Sequence, residues 1–360
     1  MRWLEFPGPD PLLRQKMLNH FLEPIIASER LQVNNIDLSL LAGQFQLTTD
    51  QVVDTVHTAV DMAVQENQPL ENQHLFAAAR IHSAARLSTV ARKINPRYAW
   101  RDLILPDEQI TMLRELVDTV RFRGVVLDDW GAGKKLVPSA GITSLFAGPP
   151  GTGKTMAADV MAGELGMDLY KIDLSGVVSK YIGETEKNLE RIFTEADRSN
   201  AILFFDEADA IFGKRSEVKD ARDRYANIEI SYLLQRMESY NGVTILATNL
   251  GSNLDEAFTR RLQFRVNFPD PDQDLRLRMW HSLFPPDVPR ATDVDYLWLS
   301  QKLNLTGGNI RNIIVAAAYL AASKSHAVGM EHILHAAKRE MQKMGRMINE
   351  KDFQVYDSRA

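Results

Sequence analysis

The 360-residue chain has no cysteine. That excludes disulfides, zinc–thiolate centres and cysteine nucleophiles, and fits a reducing cytosol. It has no excess of positive charge. Its 42 Lys and Arg against 47 Asp and Glu leave a net charge of −5, which argues against a mainly electrostatic nucleic-acid binder. No apolar run approaches the length of a membrane span, and Met1-Arg2-Trp3-Leu4-Glu5-Phe6-Pro7 has no signal-peptide core. The expectation is a cytoplasmic protein with no membrane partner. Hydrophobic residues at 45% and charged residues at 25% are ordinary for a globular protein. The length allows roughly two or three compact units.

What is present is organised around Gly148-Pro149-Pro150-Gly151-Thr152-Gly153-Lys154-Thr155, the pattern G-x-x-x-x-G-K-[ST] without a mismatch. Ser144 to Ala147 reads as a short buried strand before it, and Met156 to Leu165 as a helix after it. Strand, loop and helix in that order are the context the pattern requires. The glycines let the backbone wrap phosphate oxygens, and the helix N-terminus adds a favourable dipole. Lys154 is expected to reach the β- and γ-phosphates, and the Thr155 hydroxyl to ligate Mg²⁺. The plain alternative is a turn rich in Gly and Pro.

From Ser144 onward, short apolar runs alternate with helical stretches. The runs are Leu145 to Ala147, Leu169 to Ile172, Ala201 to Phe205, Val243 to Ala247 and Phe264 to Phe268. This predicts an α/β fold with a mostly parallel sheet, which binds ligands at the carboxyl ends of its strands. Asp206 and Glu207 end one such strand. Asp206 is placed to hold Mg²⁺, and Glu207 to take a proton from an attacking water. An acidic cap on a following helix is the rival explanation. Asn249 ends the next run, where an amide can orient that water or simply serve a turn. Arg260 and Arg261 follow, as a solvated patch, a salt bridge, or a cation for a neighbouring subunit's transition state.

The chain also resembles itself. Phe6-Pro7-Gly8-Pro9-Asp10 matches Phe268-Pro269-Asp270-Pro271-Asp272, and Leu13-Arg14 matches Leu275-Arg276 in the same register. After a four-residue change in one loop, Leu47-Thr48 matches Leu305-Thr306, Val52 matches Ile310, and His74-Leu75 matches His332-Ile333. The helical pattern of Leu12 to Leu22, Leu38 to Phe45, Thr49 to Val64 and Asn72 to Leu87 is thus expected to repeat near the C-terminus. Between this bundle and the phosphate loop, Asp107 to Phe122 reads as a helix that starts at Pro106. Gly131 to Lys135 reads as a loop and not as a second phosphate site.

In order, these residues resemble the AAA (AAA+) ATPases from about Tyr98 to about Gly345. The resemblance supplies a Walker A loop at 148–155, a Walker B strand at 202–207, a sensor 1 residue at Asn249 and arginine fingers at Arg260 and Arg261. Ser179 to Glu184 is similar to the first pore loop of the meiotic clade, in which Lys180, Tyr181 and Ile182 would grip a peptide. Gly307 and Gly308 stand where the family starts a lid helix near the adenine. No arginine falls at the sensor 2 position, although Arg311 is close.

The chain further resembles the C-terminal half of bacterial two-module AAA ATPases found with contractile injection systems. That resemblance implies an AAA+ P-loop core with a C-terminal helical lid and an N-terminal bundle like a second lid. The implied boundaries are 1–90 for the second lid, 91–143 for the linker and start of the module, and 144–270 for the core. The lid then takes 271–348 and the tail 349–360. The chain is expected to begin inside the junction of a preceding module, because Arg2 to Phe6 matches Phe264 to Phe268.

The implied activity is hydrolysis of Mg·ATP by a homo-oligomer, a hexamer in the family, that remodels, unfolds or disassembles a protein partner through a ring pore. Two rivals remain at this level. One is a nucleic-acid-directed motor or loader, disfavoured by the acidic charge. The other is a nucleotide-gated assembly factor with little hydrolysis, disfavoured by the intact Glu207, Asn249 and arginines.

Overall fold

The computed structural model describes residues 8–27, 32–34, 36–45, 47–83, 91–134, 141–177, 183–197, 201–209, 221–249, 260–324 and 327–346. In chain order, α1 (Pro11–Ala27), α2 (Leu38–Gln44), α3 (Thr49–Glu66) and α4 (Asn72–Ser83) precede a short strand β1 (Arg92–Ile94) and α5 (Asp107–Gly124). Next come β2 (Ile142–Ala147), α6 (Lys154–Leu165), β3 (Asp168–Asp173), α7 (Leu174–Val177), α8 (Glu184–Ala196), β4 (Ala201–Asp206), α9 (Ala221–Ser239), β5 (Val243–Thr248) and β6 (Phe264–Asn267). The chain continues with α10 (Gln273–Leu283), α11 (Tyr296–Lys302), α12 (Gly307–Lys324) and α13 (Met330–Lys343).

The strands form one six-stranded sheet in the order β1-β3-β4-β5-β2-β6. β3, β4 and β5 pair in parallel, with Asp173 opposite Asp206 and Phe205 opposite Leu246. All residues of β2 and β5 are buried. Strands covered on both faces need apolar side chains at every position, so they read as runs instead of alternations. All five expected strands are present. β1 was not expected: it has three residues, pairs antiparallel with β3, and lies in what reads as connecting sequence. Three residues are too few to carry a periodic signal.

The chain divides into two compact units. The first comprises 1–99, 111–146 and 155–266, and the second 100–110, 147–154 and 267–360. The helical bundle in the first unit has Leu18, Leu22, Leu41, Phe45, Val52 and Leu75 at its centre. It is tied to α6 by the Gln44 side-chain amide, which donates to the Leu165 carbonyl. Within the same unit, Asp159 of α6 accepts the backbone N–H groups of Arg97 and Tyr98 at 3.0 and 2.9 Å. The core of the second unit includes Trp280, Phe284, Leu299, Ile310 and Ile333, and draws in Ile104 from the 100–110 segment.

The repeat seen in the sequence returns as paired hydrogen bonds. Asp10 caps α1 through Leu13 N–H at 2.7 Å, and Asp272 caps α10 through Leu275 N–H at 2.8 Å. Buried Arg14 donates Nε–H to Ala42 O at 3.0 Å, and Arg276 to Ser300 O at 2.9 Å. Asp37 and Asp295 cap α2 and α11 through Leu40 and Trp298. His74 Nδ1 and His332 Nδ1 accept from Glu71 N and Gly329 N at 3.1 and 3.2 Å. Each bond satisfies a helix-end group that would otherwise be orphaned.

No helix of the described residues is long and apolar enough to cross a membrane.

Candidate functional site

The phosphate loop belongs to the second unit up to Lys154. Gly148 has φ +155° and sits so close to Phe268 that a Cβ would lie 2.1 Å from its carbonyl oxygen. Gly151 has φ +80°, and a Cβ there would lie 2.6 Å from Thr306 Oγ1. Both the backbone conformation and the space therefore require glycine. Thr152 Oγ1 donates to Pro149 O at 2.8 Å. Lys154 is buried and its Nζ donates to Gly148 O at 2.6 Å and Pro149 O at 3.0 Å. The loop thus encloses an ammonium among its own backbone. α6 begins at Lys154, so the loop runs directly into a helix N-terminus. An ammonium plus a helix N-terminus in a glycine cradle is the donor set for phosphate oxygens. The second unit also places Leu103 here: its Cδ1 would lie 3.7 Å from a Cβ at Gly153.

The acids belong to the first unit. Asp206 ends β4, and its Oδ2 lies 2.6 Å from Lys171 Nζ on β3. Its Oδ1 accepts the Glu207 N–H at 3.0 Å. Glu207 has φ +55°, a left-handed conformation that costs a non-glycine residue about 1 kcal/mol or more. Immediately after it, Ala208 N–H donates to Ala247 O at 2.9 Å, which ties the turn to β5.

Sequence reasoning missed Asp209, which holds the candidate residue Asn249. Asp209 accepts Thr248 Oγ1–H at 2.8 Å, Asn249 N–H at 2.9 Å and Asn249 Nδ2–H at 3.3 Å. Burial pushes its carboxyl up, but the bonds from Asn249 and Thr248 outweigh burial and hold it below its usual value. Asn249 is therefore oriented by an acid three residues past Asp206. The available signal was a third acid in Asp206-Glu207-Ala208-Asp209.

Arg260 and Arg261 are exposed. Arg261 has its Nε 3.6 Å from Glu238 Oε1, and its carbonyl accepts from Thr143 Oγ1 at 3.1 Å. Lys180, Tyr181 and Ile182 lie outside the described residues. Gly183, at φ +81°, leads into α8. Gly307 and Gly308 open α12, and Gly308 N–H donates to Gly151 O at 3.0 Å.

No cluster of three or more His, Cys, Asp or Glu that could hold a metal exists among the described residues. Thr155 and Asp206 are hard oxygen donors, and Mg²⁺ typically takes about one or two protein ligands plus substrate phosphates and water. The donor set therefore fits this ion and not a cage-bound one.

The second unit thus carries a glycine cradle on an ammonium, and the first carries a buried strand ending in paired acids and an amide fixed at the end of the adjacent strand. Residues 144–270 match the ATPase family associated with various cellular activities (AAA). Residues 144–270 are an AAA ATPase domain. Among curated relatives, the chain is 30% identical over 263 residues to katanin p60 ATPase-containing subunit A1 of Strongylocentrotus purpuratus, covering 69% of this chain and 49% of the relative. It is 31% identical over 224 residues to 26S proteasome subunit RPT4 of Saccharomyces cerevisiae, covering 59% and 49%. It is 31% identical over 207 residues to an uncharacterized AAA family ATPase of Sinorhizobium fredii, covering 56% and 58%. The chain spans about half the length of the first curated relatives it matches.

Proposed function

We propose that the protein hydrolyses Mg·ATP in a homo-oligomeric ring and uses the cycle to remodel a protein partner. The observation that carries this reading is the fixed pair Glu207 and Asn249. Glu207 is held in a strained turn by Asp206 and by the bond from Ala208 N–H to Ala247 O, and Asn249 by two bonds to Asp209, which also accepts from Thr248. A general base and a water-positioning amide, each immobilised on neighbouring strands, suit in-line attack on a γ-phosphorus.

The roles follow from chemistry. Gly148 to Thr155 wrap the phosphates, and Lys154 leaves the loop carbonyls for the β- and γ-oxygens. Glu207 accepts the proton of the attacking water while Asn249 holds that water in line. Thr155 and Asp206 would hold Mg²⁺, which when bound neutralises charge on the phosphates. Gly307 and Gly308 carry the lid to the nucleotide. Arg260 or Arg261 of a neighbouring copy stabilises charge on the transferred phosphoryl group. For Lys180, Tyr181 and Ile182 the role proposed is to grip a peptide in the pore of a hexamer. Residues 1–90 act as a second lid, a reading supported by hydrogen bonds within them that recur at matching positions within 271–348. The katanin and proteasome relatives favour a protein partner.

The test is complementation. Glu207→Gln and the double variant Arg260→Ala, Arg261→Ala are each expected to be inactive alone. Mixed after dissociation, they should regain part of the activity, because some interfaces then join a wild-type base to a wild-type arginine. No recovery in a mixture shown to co-assemble would sink the shared site.

A further inference from the structure

α12 opens directly on the phosphate loop. Besides the Gly308 N–H bond to Gly151 O, a Cβ at Gly308 would lie 3.0 Å from Gly151 Cα. The first turn of α12 is held from behind. Asn309 Oδ1 accepts from Thr306 N at 3.3 Å and from Thr306 Oγ1 at 2.7 Å. Asn309 Nδ2 donates to Glu340 Oε1 on α13 at 3.0 Å, and Asn312 Nδ2 donates to the same oxygen at 3.1 Å.

An ionised carboxylate only accepts. Glu340 therefore dictates which way the Asn309 amide faces: nitrogen towards α13, oxygen towards Thr306. Burial works to raise the Glu340 carboxyl, but the Asn309 and Asn312 bonds and the Lys343 charge outweigh it, so the group stays ionised. With the amide fixed, Thr306 is fixed, and Thr306 Oγ1 is the atom nearest a Cβ placed on Gly151.

The N-terminal bundle provides an internal comparison. It makes the same latch, with Thr48 N donating to Gln51 Oε1 at 2.9 Å and Gln51 Nε2 donating at 2.8 Å. There the acceptor is the backbone carbonyl of His82, in the register of Glu340. Thr49 and Asp50 occupy the places of Gly307 and Gly308. So the copy that meets the loop has glycines in front and a charged side chain behind. The other copy has side chains in front and a backbone acceptor behind.

We propose that Glu340 is a positioning residue for nucleotide binding: through Asn309 and Thr306 it seats the start of α12 on Gly151. The inference rests on the reading that loop 148–155 takes the phosphates.

The experiment titrates a fluorescent ATP analogue into the full chain and its variants, with amide hydrogen exchange read in parallel. Charge-assisted bonds of this kind are strong enough that Glu340→Ala and Asn309→Ala should each weaken binding about tenfold. Glu340→Gln keeps a carbonyl acceptor and should recover most of that loss. Gln51→Ala should bind as wild type. In Glu340→Ala the Gly308 amide should exchange faster, with Leu299 of α11 unchanged. Wild-type binding by Glu340→Ala, equal losses in Glu340→Ala and Glu340→Gln, or an equal loss in Gln51→Ala would each overturn the proposal. If Glu340→Ala does not fold, Asn309→Ala and Glu340→Gln decide it by the same criteria. Wild-type binding by Lys154→Ala would overturn the loop reading instead, and Gly308 exchange alone would then judge the latch.

Discussion

Lys171 and Asp206 form an ion pair on neighbouring parallel strands, Nζ to Oδ2 at 2.6 Å. Asp206 is the acid expected to serve a metal, and its other oxygen holds the Glu207 N–H. Both partners are partly exposed, so the pair adds little to stability. Its consequence is local: a fixed cation competes with any divalent ion for the same carboxylate oxygen.

Lys171→Ala is therefore expected to reduce the magnesium concentration for half-maximal ATPase by about threefold at low salt, and less at high salt. Lys171→Arg should behave as wild type. A magnesium titration at saturating ATP reads this directly. A higher requirement in Lys171→Ala would mean that the lysine helps by orienting Asp206.

Glu207→Gln keeps the size and the turn of the native residue but cannot take a proton. Turnover should fall by about 10²–10⁴, the usual share of a general base. Affinity for ATP should stay within about twofold of wild type, since the loop and Lys154 are untouched. Single-turnover hydrolysis beside equilibrium binding checks both halves.

Asp209→Ala removes an acceptor shared by Thr248 and Asn249, and should cut turnover at least about tenfold while ATP still binds. Because its folded value is depressed, Asp209 contributes stability above the ordinary carboxylate value of about 3.9 and loses it as pH falls through the lower folded value. The melting-temperature gap between wild type and Asp209→Asn should thus be flat at neutral pH and narrow below about pH 4. A gap that widens on acidification would contradict a depressed value.

Gly307 and Gly308 should differ sharply. A Cβ at Gly307 meets nothing closer than Met279 Sδ at 3.6 Å, whereas one at Gly308 meets Gly151 Cα at 3.0 Å. Gly307→Ala should bind ATP as wild type. Gly308→Ala should bind it about tenfold more weakly, because backbone must yield to backbone. Melting curves should show both variants folded. Equal affinities would mean that the start of α12 does not bear on the loop.

Much of the protein was legible in its sequence because the signals are local. Gly148 to Thr155 announces itself by glycines and a lysine at fixed spacing, since backbone wrapped around an anion needs those residues at those places. The runs at Leu145, Ala201 and Val243 read as buried strands because central parallel strands have no solvent face. The repeat of Asp10 and Arg14 in Asp272 and Arg276 was visible because the same caps are needed wherever the same helices end.

What the tertiary structure alone decided are contacts between residues far apart in the chain. Asp209 meets Asn249, Lys171 meets Asp206, and Glu340 meets Asn309 only because strand order and helix packing bring them together. Nothing in the spacing of these pairs marks them as partners. Hydrogen bonds and ion pairs act over a few ångströms of space, and sequence separation carries no record of that distance until the sheet has formed and the helices have packed.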